Sequence, residues 1–347
     1  YSYDPVGNRI SEKDANGNVT TFIYDGLDRM SSQTDASGNT STYSYDPVGN
    51  RISQSDKNGS TSFFYYDELF LIDSIVKPLG YVIKYTYDVT GNRISADDPN
   101  GNTTTYTYDG LNRQLSETDA LGNSATRNYD PAGNIDSETD PNGNTTLHVY
   151  DALNRLETST DALGGVTTFT YDAMGNITSL TDANSSTVTY TYDAVNRLMS
   201  LTDPLGGILS YAYDAEGNKT SETDPNGNTT SFTFDSRYNL TNQSDALGNT
   251  TLYGYDPAGN RTSKTDQLGN ITTFEFDNLN RQILVIGPIG DSLTKSFDAN
   301  GNITYKTDPM GAVTTYTYDG LDRLITVTNN QGGITTHDYD LNGNRTM

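Results

Sequence analysis

Two DPNGN segments place oxygen-bearing side chains at alternate positions, as the start of a calcium-binding loop does. The six side chains are those of Asp140, Asn142, Asn144, Asp224, Asn226 and Asn228. Carboxylate and amide oxygens are the ligands that Ca²⁺ prefers. Both segments lack the later glycine and glutamate of an EF-hand, and neither shows the Gly-Gly-x-Gly-x-Asp pattern of calcium-binding β-rolls. Turn formation alone explains these residues, so calcium is only an alternative reading, and we expect no cofactor.

Histidine and cysteine are too scarce for the usual catalytic arrangements. The chain has no cysteine, and its two histidines are His148 and His337. Each histidine stands three residues before a recurring aspartate, where most other copies carry Tyr or Phe, so it replaces an aromatic ring. Zinc sites and nucleophile–base pairs need these residue types close together. The carboxylates recur in equivalent settings, and no pair stands out. We therefore expect no catalytic residues and no enzymatic activity in this segment.

The recurring feature is an aromatic–Asp pair that returns every 21 residues, from Asp4 to Asp340, without insertion or deletion. Tyr precedes the aspartate in fourteen copies and Phe in three. A fixed period of this length is typical of a repeat protein. The pairs are interpreted as structural repeat residues, among them Tyr24, Asp25, Tyr45, Asp46, Tyr87, Asp88, Tyr108, Asp109, Tyr129, Asp130, Tyr150, Asp151, Tyr171, Asp172, Tyr192 and Asp193.

A second period of 42 residues lies on top of the first. The third and fourth residues after the aspartate alternate between Gly-Asn, as in Gly91-Asn92, and Asn-Arg or Asp-Arg, as in Asn112-Arg113. Phe70-Leu71 and Tyr238-Asn239 depart from this alternation. The true unit is therefore a double repeat made of two similar halves.

Each 21-residue copy contains two turn signals separated by short runs rich in Thr, Ser and Tyr. The second signal, as in TDPNGN at residues 139–144, has Asp or Asn where the backbone turns and Gly where φ is positive. The runs between turns are about six residues long, which is a usual strand length. The sequence thus predicts an all-β fold, a continuous antiparallel β-hairpin strip of roughly 33 strands with almost no helix.

Aromatic residues one and three positions before the aspartate, such as Tyr106 and Tyr108, fall on one face of the strip, and threonine dominates the other. Sheets twist, and open sheets beyond about ten strands curl or split. A strip with one aromatic face is therefore expected to coil into a hollow tube or shell. We also expect the rings to stack on one another in ladders along the strip.

Composition excludes several classes of function. The formal net charge is −24, spread along the repeats, which argues against nucleic acid because phosphate recognition needs a basic surface. No apolar run approaches membrane-spanning length, so membrane insertion is not expected. Frequent Asn-x-Ser/Thr sequences follow from turn–strand junctions, although in a secreted protein they could also carry N-glycans. They begin at Asn18, Asn102, Asn144, Asn176, Asn228, Asn249, Asn270 and Asn302.

Residues 1–347 are interpreted as a single repeat region, because domain-count rules do not apply to a linear array. Both termini lie inside a repeat and lack capping character, so we expect a segment of a longer polypeptide or of a filament.

The segments YDPVGNRI, YDGLNRQLSETDALGN and TDPNGNTTSFTF resemble the YD-repeat family, also called Rhs repeats, and the resemblance covers the whole chain. It implies a β-strip that spirals into a hollow shell. Bacterial members, including components of insecticidal toxin complexes, use the shell to enclose a C-terminal toxin fragment, and teneurins use a similar barrel for extracellular adhesion. The chain shows no such fragment and no self-cleavage motif before Met347. Its constant repeat length favours an open tube.

These observations predict a non-enzymatic, extracellular structural protein that forms the wall of a tube, filament or shell. The first alternative is the encapsulating segment of a secreted Rhs-type toxin. The second is a cell-surface adhesin that binds glycans through tyrosine rows. The expected partners are further copies, adjoining parts of the same long chain, or an enclosed cargo.

Two segments replace the aspartate of the second turn and surround it with aliphatic residues, which marks a contact more often than a solvated loop. They are SIVKPLGYVIKY at residues 74–85 and LVIGPIGDSL at residues 284–293. We expect both loops to pack against another part of the strip, another chain or enclosed material. The candidate packing residues are Ile75, Val76, Leu79, Val285, Ile286 and Ile289.

Overall fold

The computed structural model describes residues 1 to 346, and almost all of its regular structure is β-strand. Strands β1 to β33 form one sheet, in which each strand pairs antiparallel with the next along the chain, and β34 and β35 form a separate pair. The described part contains one helical element, a short 3-10 turn at Pro78–Gly80, and no helix able to cross a membrane. The predicted hairpin strip is confirmed.

The long strands have six residues and end at the aromatic residue of the repeat. They are β3 (Val19–Tyr24), β5 (Thr40–Tyr45), β7 (Thr61–Tyr66), β9 (Val82–Tyr87), β11 (Thr103–Tyr108), β13 (Ser124–Tyr129), β15 (Thr145–Tyr150), β17 (Val166–Tyr171), β19 (Thr187–Tyr192), β21 (Ile208–Tyr213), β23 (Thr229–Phe234), β25 (Thr250–Tyr255), β27 (Ile271–Phe276), β29 (Ser292–Phe297) and β31 (Val313–Tyr318).

The strands between them have five residues. They are β2 (Arg9–Lys13), β4 (Met30–Thr34), β6 (Arg51–Ser55), β8 (Ile72–Val76), β10 (Arg93–Asp97), β12 (Gln114–Thr118), β14 (Ile135–Thr139), β16 (Leu156–Thr160), β18 (Ile177–Thr181), β20 (Leu198–Thr202), β22 (Lys219–Thr223), β24 (Leu240–Ser244), β26 (Arg261–Thr265), β28 (Gln282–Ile286), β30 (Ile303–Thr307) and β32 (Leu324–Thr328). The terminal strands are shorter: β1 (Ser2–Tyr3), β33 (Ile334–Thr336), β34 (Asp338–Tyr339) and β35 (Arg345–Thr346).

Every strand ends in a five-residue turn whose first residue is usually aspartate. At the turn that begins at Asp109, the backbone N–H of Asp109 donates to the carbonyl of Arg113, and the N–H of Asn112 donates to the carbonyl of Asp109. The carboxylate of Asp109 accepts the N–H groups of Leu111 and Arg113 at 2.8 and 3.0 Å. One aspartate therefore satisfies the polar groups of a whole turn, which explains why it recurs.

The turns form two rows. The turns that follow the aromatic strands, from Asp4 to Asp340, are called the YD edge, and those that follow the five-residue strands, from Asp14 to Asn329, are called the return edge. The YD turns also contain a β-bulge, as between Thr107 and Tyr108. The fourth residue of both turn types has positive φ, which Gly, Asn and Asp tolerate best.

Phe70 and Tyr238 occupy this position with φ of 62° and 64°, although aromatic residues disfavour the left-handed region. Replacing Tyr238 with glycine is expected to stabilise the β23–β24 hairpin by about 1 kcal/mol, because the ring is largely exposed and backbone strain is removed. Hydrogen exchange of the amides in that hairpin measures the change. Tyr238→Phe is the matched control and should leave exchange unchanged; equal effects of both substitutions would refute the strain argument.

The sheet has no second layer packed on it and almost no conventional core. Of the described residues, only Phe22 and Asp35 are buried, and the accessible surface is 20277 Å². A compact monomer of this mass exposes roughly 14,000 Å². Along β11 the aromatic side chains are half-buried while the intervening threonines are exposed, as the alternation predicted. Stability must therefore come mainly from contacts between neighbouring strands and turns.

The chain divides into two compact units. The first consists of Tyr1–Thr86, Ala96–Asn102 and the segment from Leu252 onward. The second consists of Tyr87–Ser95 and Thr103–Thr251. Within the second unit the strip runs without interruption of its 21-residue period, so its repeats differ only in side chains.

Candidate functional site

Arginine in one half of the double repeat joins its own turn to the next YD turn. The Nε atom of Arg155 donates to Asp151 at 2.7 Å, and Nη1 donates to the carbonyl of Asp172 at 3.0 Å. The same guanidinium lies over the ring of Tyr171, 4.5 Å from its centroid. Equivalent carbonyl bonds and ring contacts are made by Arg29, Arg113, Arg197, Arg281 and Arg323.

Asparagine in the other half makes the complementary connection. The Nδ2 atom of Asn176 donates to Asp172 in its own turn at 2.8 Å and to Oδ1 of Asn196 in the next YD turn at 2.9 Å. The same forward bond joins Asn8 to Asp28, Asn92 to Asn112, Asn134 to Asn154, Asn260 to Asn280, and Asn302 to Asp322. The 42-residue period therefore records a side-chain chain along the YD edge, in which Arg and Asn alternate as linkers.

The tyrosine of the aromatic–Asp pair has a separate use for its hydroxyl group. The hydroxyl of Tyr171 donates to the carbonyl of Leu156 at 2.7 Å, 15 residues earlier. Ten other tyrosines make the same bond at the same separation: Tyr24, Tyr45, Tyr66, Tyr108, Tyr129, Tyr150, Tyr192, Tyr213, Tyr318 and Tyr339. This bond explains the preference for Tyr over Phe.

The expected ladder of ring on ring is wrong. Among the described residues the single close ring pair is His148 and Tyr150, tilted at 6.5 Å. Aromatic positions recur on every second strand, about 9–10 Å apart, which is too far for direct stacking. Cations from the intervening strands fill the gaps: Arg51 lies over both Tyr43 and Phe64, at 5.9 and 4.9 Å. The rows are cation–ring ladders.

Within the first unit, the return edge of residues 14–102 contacts the YD edge of residues 256–344. Asn16 donates to Asp256 at 2.9 Å and accepts the N–H of Ala258 at 3.2 Å, 242 residues away. Forty-two residues later, Asn58 donates to Asp298 at 3.1 Å. Asn342 donates to Asp98 at 2.6 Å. The two edges thus meet with a constant offset.

The first aliphatic loop lies in this contact. A Cβ atom on Gly320 would lie 3.4 Å from Cβ of Pro78 and 3.9 Å from Cδ2 of Leu79. The guanidinium of Arg323 donates to the hydroxyl of Tyr81 at 2.9 Å. Leu79 also has a φ of 65°, at a position where the other return turns have negative φ. Replacement of the usual aspartate by Lys77 has changed both the turn and its partner.

The remaining packing candidates are placed as follows. Ile75 and Val76 lie half-buried in β8, and Val285 and Ile286 lie half-buried in β28. The side chain of Ile289 is 92% exposed at the tip of its turn. The structure thus brings Leu79 near another segment and leaves Ile289 in solvent, and the predicted contact of the second loop stays a prediction.

The six calcium candidates lie on the return edge, where their oxygens serve the turns. Asp140 accepts the N–H groups of Asn142 and Asn144 and the side-chain amide of Asn144, all at 2.8–2.9 Å. Asp224 has the same three bonds from Asn226 and Asn228. These bonds from Asn144 and Asn142 lower the pKa of Asp140, which stabilises its charged form without a metal. In residues 1 to 346, no group of three or more His, Asp or Glu side chains is placed to hold a metal ion.

EDTA is therefore expected to leave the melting temperature unchanged, because the carboxylates already have hydrogen-bond donors. Calorimetry with EDTA and then with added calcium checks this. A large fall that calcium alone restores would make these turns calcium ligands.

The sequence matches the RHS repeat family at residues 3–40, 31–61, 74–103, 87–124, 129–165, 150–187, 175–208, 192–229, 213–250, 235–266, 255–288 and 297–334. None of the curated proteins matches the chain.

Several solved structures share the fold. The crystal structure of TcdB2-TccC3 without the hypervariable C-terminal region aligns with 99% of this chain and 23% of that chain, at a TM-score of 0.77 and 16% identity. TcdB2-TccC3-Cdc42 aligns with 97% of this chain and 24% of that chain, at 0.65 and 14% identity. The Photorhabdus luminescens Tc holotoxin pore aligns with 94% and 22%, at 0.55 and 16% identity. The chain thus spans about a quarter of the chains it resembles.

Proposed function

Because the chain belongs to the RHS repeat family, we propose that it builds the wall of a secreted hollow shell that encloses a cargo and has no enzymatic activity of its own. The observation that carries this proposal is the contact between the return edge and the YD edge at an offset of 242 residues. A strip that meets its own opposite edge can make a continuous wall. The resemblance in fold to toxin-complex structures supports a cage rather than a filament.

The chemistry of the turns supports a structural role. An efficient general acid or base has a pKa near the working pH. Hydrogen bonds from Asn92 and Thr90 instead lower the pKa of Asp88 to about 2. The turn aspartates with lowered pKa values, such as Asp109 and Asp172, are held by the same kind of bonds, with Arg113 and Asn176 as donors. These carboxylates are charged anchors for turns and poor proton-transfer groups at neutral pH.

Electron microscopy of the intact secreted polypeptide tests the proposal. We expect a hollow particle whose wall is one sheet thick, about 10 Å, with density for a separate polypeptide inside. Asn16→Ala combined with Asn58→Ala removes bonds between the edges and should open the wall. Asn142→Ala combined with Asn226→Ala is the matched control in the second unit.

Two results would contradict the proposal. Solid filaments without a lumen would show that the strip does not enclose anything. Specific glycan binding by particles that lack internal density would favour an adhesin, although cations already cover one side of rings such as Tyr171 and Tyr129.

A further inference from the structure

The third residue of each return turn follows a pattern that matches the pattern of the YD edge. From Leu79 to Leu247 this residue alternates between leucine and asparagine. The YD turns alternate, with the same 42-residue period, between Arg turns and Gly-Asn turns. Two rows with the same period can pair in one phase along their whole length.

The contact within the first unit shows which residues face each other. Asn16 and Asn58 each bond to a Gly-Asn turn, through Asp256 and Asp298. Asn100 likewise bonds to Asp340, which begins another Gly-Asn turn. Leu79 instead lies against an Arg turn, at Gly320. Asparagine is therefore paired with Gly-Asn turns and leucine with Arg turns.

Chemistry explains this pairing. A Gly-Asn turn presents an aspartate oxygen and a backbone N–H, and the amide of Asn16 satisfies both. An Arg turn uses its carboxylate for its own arginine, as Asp319 does for Arg323, and presents a leucine at its third position. That leucine is half-buried in Leu321 of the contact, whereas Leu111 and Leu153 at the same position in the second unit are 73% and 69% exposed.

The return edge of the second unit carries the same alternation with its leucines in solvent. Leu163 and Leu205 are 98% and 97% exposed, compared with 61% for Leu79 in the contact. Asn142, Asn184 and Asn226 lie between and beside them. Singly exposed leucines are ordinary, but a row in phase with a complementary edge of the same protein is a docking surface.

We propose that the return edge of residues 119–249 binds the YD edge of a second copy of this chain, with leucine opposite Arg turns and asparagine opposite Gly-Asn turns. The second copy is the occupant because this interface continues one that the chain already makes with itself. A slip of one 21-residue repeat would place each leucine against a Gly-Asn turn, so register is fixed to multiples of 42 residues. The contact joins unlike edges, so it propagates head to tail.

This proposal goes beyond the wall function and does not depend on a cargo. Sedimentation of the full chain at rising concentration tests it, at high salt because the net charge of −24 opposes association. We expect the mass to rise with concentration. Leu163→Asp with Leu205→Asp should weaken association by at least about tenfold. The control is Leu268→Asp with Met310→Asp, which adds the same charge at equally exposed turn tips outside the alternating row.

Phase is tested by cross-linking, since the chain has no cysteine of its own. A chain with Asn184→Cys is mixed with one that carries Met174→Cys, at a Gly-Asn turn, or Val195→Cys, at an Arg turn. Disulfides are expected with the first and not with the second. A chain that stays monomeric at every concentration and salt, equal loss in the control variant, or equal cross-linking to both sites would each overturn the proposal. None of these results would affect the hollow particle expected by microscopy.

Discussion

Replacing Tyr171 with serine is expected to destabilise the hairpins formed by β16, β17 and β18 by about 2–3 kcal/mol. The substitution removes a half-buried ring, the surface on which Arg155 stacks at 4.5 Å, and the hydroxyl bond to the carbonyl of Leu156. In a repeat array each unit contacts chiefly its neighbours, so the loss should stay local. Hydrogen exchange should show faster exchange in these strands and unchanged protection in β5 and β6.

The control for this prediction is Tyr171→Phe, which removes the hydroxyl bond and keeps the ring. It should cost about 1 kcal/mol, and the chain itself has Phe at this position in Phe234, Phe276 and Phe297. Uniform loss of protection along the whole strip after Tyr171→Ser would contradict nearest-neighbour stability. Equal effects of Ser and Phe would show that the hydroxyl bond, and not the ring, holds the hairpin.

The features that could be predicted from the sequence are those that depend on neighbouring residues. Aspartate at a turn start and Gly, Asn or Asp three residues later determine a hairpin locally, so Asp109 and Asn112 predict their turn without tertiary information. The 42-residue alternation was also visible. Its cause was missed, although Arg155 and Tyr171 stand 16 residues apart in the sequence and the same pairing recurs in other Arg turns.

The contact between the edges could not be predicted from local patterns. Whether Asn16 meets Asp256 depends on the small rotation at every strand pair, summed over all strands between them. No single residue encodes that sum. The alternation of leucine and asparagine on the return edge was legible in the sequence, but it had no meaning until the structure showed Asn58 on Asp298 and Leu79 beside Gly320.

Acid is expected to unfold the strip over a defined range of pH. Hydrogen bonds from Asn92 and Thr90 lower the pKa of Asp88 from 3.8 to about 2, and similar bonds lower the pKa of many other turn aspartates, such as Asp172 and Asp224. A carboxyl group with a lowered pKa in the folded state contributes stability above its unfolded pKa. That contribution is lost as the pH falls from about 4 towards the folded value of about 2.

A second effect opposes the first at milder acidity. Partial protonation reduces the net charge of −24 and so relieves repulsion within the chain. Urea midpoints measured against pH should therefore change little, or rise slightly, down to about pH 5 and then fall steeply. High salt screens the repulsion and should remove the rise while keeping the fall. Because both edges depend on the same carboxylates, the loss should affect every repeat together.

The variant Asp88→Asn separates the two effects at one turn. Its amide cannot titrate, so hydrogen exchange in β10 and β11 should be faster than in the wild type at neutral pH and should depend less on acidity. The turn of Asp172, which keeps its carboxylate, serves as the internal reference, because Asn176 lowers the pKa of that group by the same kind of bond. If the variant kept the full pH dependence of the wild type, or if the strip stayed folded at a pH of about 2, the turn carboxylates would not be the groups that hold the hairpins together.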